Sequence, residues 1–339
     1  MTTSTLPRTR IGRTDVEVTR LGLGTAPLGG WPSALPREQA LATVERAWEL
    51  GIRYFDTAPL YGFGLSERRL GKALAGRPRD EFVLSTKVGR LLRADGADAS
   101  PLAGGLGSWA GVPPLNPVFD YSVDGVLRSV EESLERLGLD RVDILHVHDP
   151  EEDPDAALAG AYPALDRLRR EGVIAAVGAG ANEPEVLLRF CREADFDCFL
   201  LAGRYTLLDQ SALPELLPLC VERGIAVIVG GVYNSGILAD PRPGAPFDYQ
   251  PAPPHWVERA QRLQAVCERH GVPLMAAAIQ FPLAHPAVAS VLVGARSVAE
   301  VEQNLELLRL PLPAELWEEL RSERLLPEEA PVPSEAAAR

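Results

Sequence analysis

The chain has 339 residues, a length that a single barrel domain accommodates, and its 46% hydrophobic and 24% charged residues fit a globular fold with a sizeable core. A formal net charge of −13 argues against nucleic acid as a partner, because backbone binding requires clustered Lys and Arg. MTTSTLPRTR has no apolar signal core and no stretch approaches the ~20 apolar residues that cross a bilayer, so a cytoplasmic protein with no membrane partner is expected.

In chain order, the opening LPRTRIGRTDVEVTR places a turn at Gly12 to Asp15 between two β-prone arms and predicts a hairpin that could plug a barrel floor. Short apolar runs follow at 20–25, 53–57, 82–87, 142–148, 174–179, 197–202, 225–230 and 288–294. Between them lie amphipathic stretches such as REQALATVERAWEL, SERRLGKALAG, SVDGVLRSVEESLERLG, DAALAGAYPALDRLRREG and LPELLPLCVERG, with apolar residues at i, i+3, i+4 and i+7. Gly51, Gly138, Gly172, Gly224 and Gly271 are placed to end helices. Runs that are apolar throughout imply strands covered on both faces, and eight strand–helix units in succession predict a (β/α)8 TIM barrel with an N-terminal β-hairpin. Residues 1–325 read as one barrel domain, and the Pro- and Glu-rich 326–339 as a mobile C-terminal tail. Cys191, Cys198, Cys220 and Cys267 lack paired spacing and read as buried free thiols.

In such a barrel the chemistry gathers where strands end and βα loops begin. Asp56 and Tyr61 follow the second strand, Lys87 closes the third and His148 ends the fourth, so neighbouring strands can aim all four side chains at one point. His146 and His148 share a face of their strand. His255, His270 and His285 have no ligand spacing, so no metal is expected, and His146 reads as a hydrogen-bonded residue of the barrel interior beneath the site. The glycines of GLGTAPLGG lack the spacing of a dinucleotide fingerprint. The long segment 88–121 reads as a substrate cover, and Trp31, Trp109 and Tyr205 as walls against which a sugar could stack.

GIRYFDTAPLYGFGLSERRLGKAL, STKVGR and SLERLGLDRVDILHVHDP together resemble the aldo-keto reductase superfamily over nearly the whole chain. GAGANE, LLAGRYTLLDQ and GGVYNSGIL resemble more narrowly the branch containing D-threo-aldose 1-dehydrogenases and L-fucose or L-galactose dehydrogenases. The resemblance implies that Tyr61 exchanges a proton, that Lys87 lowers its pKa, that Asp56 pairs with Lys87 and that His148 orients the substrate oxygen. It also implies a nicotinamide cofactor near Gly24 and Thr25, with phosphate at the turn and helix start of Gly294, Ala295, Arg296 and Ser297, and adenine toward Gln303 and Asn304. Glu300 stands where NADP-preferring relatives carry a cation, which favours NAD, whereas Arg296 could hold a 2′-phosphate; the cofactor expectation is therefore NAD, or else NADP. Gly180 and Ala181 replace the amide-binding Ser-Asn pair, with Asn182 next, and Gly230 and Gly231 replace a stacking tyrosine, leaving Val232 or Tyr233 to pack there.

The implied reaction is oxidation of an aldose of the L-fucose, L-galactose or D-arabinose type at C1 to its lactone. Reduction of an aldehyde or of pyridoxal, or a non-catalytic cofactor-sensing role, are the alternatives. The sequence is compatible with a monomer or a homo-oligomer.

Overall fold

A computed structural model describes residues 6–94, 109–248 and 250–334. The N-terminal arms pair as expected, with β1 (Arg8–Arg10) antiparallel to β2 (Glu17–Thr19). Gly12 in their turn has φ +52° and packs so closely on the carbonyl of Asp197 that a Cβ there would stand 2.4 Å from the oxygen.

Eight parallel strands then close on themselves: β3 (Leu21–Gly24), β4 (Tyr54–Asp56), β5 (Val83–Val88), β8 (Ile144–His148), β9 (Ala176–Ala181), β10 (Cys198–Ala202), β11 (Ala226–Gly230) and β14 (Val288–Gly294), with β14 pairing back to β3. Each coincides to within two residues with an apolar run of the sequence. The reason is burial on both faces. Tyr54, Ile144, Cys198, Ile228 and Leu292 point inward, and Ile11 and Val18 from the hairpin join this interior cluster from below. Leu84, Leu145, Val177, Phe199, Leu201, Val227 and Val229 point outward into the layer beneath the helices.

The helical layer comprises α1 (Arg37–Glu49), α2 (Leu65–Leu74), α3 (Val123–Leu137), α4 (Pro154–Ala156), α5 (Tyr162–Arg170), α6 (Pro184–Glu193), α7 (Leu216–Arg223), α8 (Pro254–Arg269), α9 (Leu274–Gln280), α10 (Val298–Arg309) and α11 (Ala314–Ser322). The glycines at 51, 138, 172, 224 and 271 all have the positive φ expected of helix-ending residues. The single helix expected over DAALAGAYPALDRLRREG is instead divided by a π-helical turn, Ala157–Ala161. Pro163 removes an amide donor there, and Gly160 lies against the carbonyl of Tyr121, where a Cβ would stand 2.3 Å from the oxygen.

Two further departures bear on the site and the boundary. The segment read as a long cover contains an antiparallel ribbon, β6 (Arg90–Arg93) with β7 (Asn116–Phe119); residues 95–108 of that cover lie outside the described residues. A second short ribbon, β12 (Pro246–Phe247) with β13 (Gln250–Pro251), lies in the loop after β11. The tail does not leave the domain at 326: Leu326 and Ala330 are buried, and Arg321 donates to the Ala330 carbonyl at 2.6 Å. Its apolar residues cover α11, so the expectation of a mobile tail from 326 fails for 326–334; 335–339 lie outside the described residues. Among the described residues no helix is long and apolar enough to cross a membrane.

If the hairpin plugs the barrel floor, Ile11→Ala leaves a cavity under the interior cluster and should cost about 2–4 kcal/mol in urea unfolding. A loss below about 0.5 kcal/mol would mean that the floor is not packed by this residue.

Candidate active site

The pairing of β4 with β5 sets Asp56 opposite Ser85, and Lys87 reaches the same point from two residues farther along β5. Lys87 Nζ donates to Asp56 Oδ2 at 2.7 Å and to the Thr57 carbonyl at 2.9 Å, while Ser85 Oγ donates to Asp56 Oδ1 at 2.7 Å. Both ionic side chains are at most 3% exposed, so each charge depends on the other. Removing either partner would strand a charge in the barrel, at about 3–5 kcal/mol.

Tyr61 stands in the turn after β4, with its N–H donating to the Ala58 carbonyl at 3.1 Å. The backbone of Gly29 rests on the Tyr61–Gly62 peptide so closely that a Cβ at Gly29 would lie 2.6 Å from the Tyr61 carbonyl carbon, which fixes the turn. Lys87 Nζ is 4.8 Å from the centre of the phenol ring. His148 meets the ring edge-on at 6.0 Å between centroids, and Trp109 stacks on it at 6.1 Å and 26°. The expected lowering of the Tyr61 pKa by Lys87 is not found. Burial pushes the phenol well above its ordinary value, with Asp56 and Asp149 adding to the rise. The physical reason is that the Lys87 ammonium is already matched by Asp56 at 2.7 Å, so little positive field is left for a phenolate.

His148 ends β8 with its imidazole buried, which drops its pKa to about 3 despite the nearby Asp149, so the ring is neutral at pH 7. Tyr121 Oη donates to the carbonyls of His148 at 2.8 Å and Asp149 at 2.7 Å and so fixes the strand end. His146 lies inside the barrel as expected, but the hydrogen bonds assigned to it are not found: neither ring nitrogen has a partner among the described residues. Burial and the adjacent Lys87 lower its pKa well below the ordinary value, so it is an uncharged filler under the site. Among the described residues no group of His, Cys, Asp and Glu is arranged to hold a metal.

Tyr61, Lys87, His148, Trp31 and Trp109 line one pocket, a cavity of about 240 Å³ that continues past Gly180, Ala181, Asn182, Gly231 and Gly294. At Gly180 the groove has the open floor that a flat cofactor ring would need. A Cβ on Gly180 would meet nothing nearer than Leu200 at 3.7 Å and Lys87 Cε at 3.8 Å, so the missing side chain leaves room within the site. At the far end Ser297 caps α10 by accepting from the Glu300 N–H at 3.2 Å, and Glu300 accepts from the Arg296 N–H at 2.8 Å. Gly294 and Glu300 are exposed there and Gln303 lies on the outer face, whereas Ala295 is buried and can offer only backbone. Asn304 is also buried and accepts from Tyr233 Oη at 2.9 Å.

Several expected contacts are relocated. Thr25 is fully buried: its hydroxyl donates to the Asp56 carbonyl at 2.8 Å and accepts from Ser66 at 2.7 Å, so Ala26 and Pro27 line the pocket in its place. Neighbouring Gly24 is half-buried at the end of β3. Tyr205 is no substrate wall; it packs in the core against Phe281 and His285. After β11, Gly230 and Val232 are buried and Tyr233 turns to Asn304, leaving Gly231, Asn234 and Ser235 to face the pocket. Arg296 is turned toward another loop. Its guanidinium donates to the carbonyls of Trp31, Ser33 (3.0 Å) and Ala34 (3.2 Å) and to the Ser33 hydroxyl (2.9 Å), clamping the loop that carries Trp31.

Asp149, Arg90, Asn234 and Asp248 were missed by sequence reasoning. Asp149 directly follows His148 and Arg90 lies three residues after Lys87, so proximity to the recognised motifs was the available signal.

A phenol, an ammonium–carboxylate pair and a neutral imidazole around one pocket at the C-terminal mouth of a barrel are the parts of a proton-and-hydride oxidoreductase. Residues 20–324 match the model of the Aldo/keto reductase family, and the chain belongs to that family, whose members work with nicotinamide dinucleotides. It is 47% identical to a D-threo-aldose 1-dehydrogenase from Pseudomonas sp over 311 residues, covering 91% of this chain and 94% of that one. It is 45% identical to a pyridoxal 4-dehydrogenase from Microbacterium luteolum, covering 93% and 97%. Among solved structures it resembles the holo form of aldo-keto reductase AKR11C1 from Bacillus halodurans, with a TM-score of 0.74, 28% identity and coverage of 98% and 99%.

Arg296→Met should release the Trp31 loop without unfolding the barrel. The expected outcome is at least about tenfold faster hydrogen exchange confined to the amides of Trp31, Ser33, Ala34 and Leu35, equivalent to the loss of ~1.4 kcal/mol of local stability. Unchanged exchange in that segment would show that the clamp does not hold it.

Proposed function

We propose that the protein oxidises an aldose at C1 to the corresponding lactone, with NAD as the preferred hydride acceptor, and that Tyr61 is the proton-transferring group. The observation that carries this reading is the convergence of Tyr61, the Lys87–Asp56 pair and neutral His148 on one pocket walled by Trp31 and Trp109. Likeness to the Pseudomonas D-threo-aldose 1-dehydrogenase supports the substrate class. The carbohydrates to consider first are of the L-fucose, L-galactose and D-arabinose type.

A nicotinamide held beside Gly180, Asn182 and Gly231 would supply the hydride acceptor for C1. His148, uncharged at neutral pH, orients the reacting oxygen by a hydrogen bond, and Tyr61 takes the hydroxyl proton in oxidation or gives it in reduction. Lys87 and Asp56 hold the turn geometry and the local field. Gly180, Asn182 and Gly231 would border the nicotinamide end, and Gly294 with the start of α10 would receive the phosphates. The Glu300 carboxylate at this helix start favours a free ribose over a 2′-phosphate, and the engagement of Arg296 with the Trp31 loop removes the cation that would offset it.

A second reading is supported by the 45% identity to a pyridoxal 4-dehydrogenase: the stacked Tyr61 and Trp109 rings suit an aromatic aldehyde or alcohol as well as a sugar.

Because the free site holds Tyr61 as a phenol at neutral pH, the two directions should respond oppositely to pH. Oxidation needs the phenolate, whose fraction grows about tenfold per unit below its pKa, so oxidation should climb from pH 7 to 9 while reduction stays level or falls. Steady-state rates with the three sugars and with pyridoxal, using NAD and NADP in parallel, test the assignment. Tyr61→Phe should lower them by about 10²-fold or more with dinucleotide binding retained. A variant keeping a tenth of the activity, or oxidation that falls with rising pH, would remove Tyr61 from the proposed role.

A further inference from the structure

Asp149 belongs to none of the four side chains that the motif brings together, yet it lines the same pocket. Its placement is tightly specified. The backbone is held at φ +46°, a conformation that Asp tolerates better than most residues, by its N–H donating to the Gly180 carbonyl at 2.9 Å and by Tyr121 Oη donating to its carbonyl at 2.7 Å. The carboxylate is divided between two environments. Oδ2 accepts from buried Arg90 at 2.6 Å, and Arg90 itself lies 3.8 Å over the ring of Phe119. Oδ1 is 3.6 Å from His148 Nε2, beyond hydrogen-bond reach, and takes no hydrogen bond among the described residues. Although burial opposes ionisation, charge interactions hold the carboxyl below its ordinary pKa, and at neutral pH, where His148 is uncharged, the Arg90 ion pair supplies them, so Asp149 is a charged acceptor.

A fixed anionic acceptor in a pocket also lined by Trp31, Trp109, Tyr61 and Leu60 calls for a donor on the substrate. We propose that Asp149 Oδ1 is a specificity determinant that accepts a hydrogen bond from the hydroxyl on the carbon next to the reacting one, the C2 hydroxyl of a pyranose. The inference rests on the aldose reading and on His148 orienting the reacting oxygen. With His148 donating to the reacting oxygen, the 3.6 Å between Oδ1 and His148 Nε2 sets the acceptor and the donor close enough to engage oxygens on adjacent carbons. A substrate lacking that hydroxyl buries the carboxylate without a donor, and a site built for a polar group rejects such analogues strongly. Asp149 thus selects polyhydroxylated substrates over plain aldehydes without taking part in the proton transfer.

The test is a two-by-two comparison of kcat/KM: an accepted aldose and its 2-deoxy analogue, each with wild type and Asp149→Asn. Wild type should prefer the hydroxylated sugar by at least about tenfold, expressed mainly in KM, and the variant should lose most of that preference. An equal preference in both proteins, or a wild type that does not distinguish the pair, overturns the inference. If Asp149→Asn fails to fold, Asp149→Ser takes its place in the same comparison. A wild type that oxidises no aldose removes the aldose reading and this inference together, whereas one that oxidises aldoses without regard to C2 removes this inference only.

Discussion

The buried Lys87–Asp56 ion pair is the constraint around which the site is built. Two charges taken out of water at the mouth of a barrel are tolerable only when each is matched and further hydrogen-bonded, and Ser85 and the Thr57 carbonyl supply such bonds. Neighbouring strands β4 and β5 supply the partners, so barrel closure itself sets their separation. The turn after β4 then has little freedom, and the contact of Gly29 with the Tyr61–Gly62 peptide removes what remains. The phenol is consequently placed by backbone rather than by its own hydrogen bonds.

The same neutralisation explains an electrostatic feature of the pocket. A cation that is fully paired does little to acidify a phenol, and Asp56 and Asp149 both disfavour phenolate in the free site. The protein therefore rests with a protonated Tyr61 and an uncharged His148, a combination ready to donate to a carbonyl oxygen. Oxidation through Tyr61, as proposed, would draw on a small phenolate fraction. Around this centre the charged groups have separate duties: Arg90 anchors Asp149, Arg296 anchors the Trp31 loop, and Glu300 closes the first turn of α10.

The fold was legible because its signal is repetitive. Strands buried on both faces leave apolar runs, and helices ending in glycine leave punctuation, so all eight barrel strands and the hairpin could be located from the sequence. Asp56, Tyr61, Lys87 and His148 were legible for a related reason, since topology alone places strand ends together. What was hidden is the direction of side chains on loops. Thr25 turns into a hydroxyl network and Tyr205 into the aromatic core; Arg296 turns to carbonyls more than 260 positions away in the chain. None of these choices is encoded by local periodicity. Each is decided by which buried acceptor or apolar surface the folded chain brings within reach. The β6–β7 ribbon was missed because its strands are short and far apart in sequence, and the tail because Leu326 and Ala330 are buried despite its polar composition.

The most direct measurement is the pH dependence of oxidation in Asp56→Asn beside wild type. The account holds that Asp56 both neutralises Lys87 and repels a phenolate at Tyr61, so removing its charge should move the alkaline rise in kcat/KM to lower pH, whatever happens to the maximal rate. A rise that stays in place or moves to higher pH would contradict it, because the proton exchanged in catalysis would then not sense the pair on which the site is built.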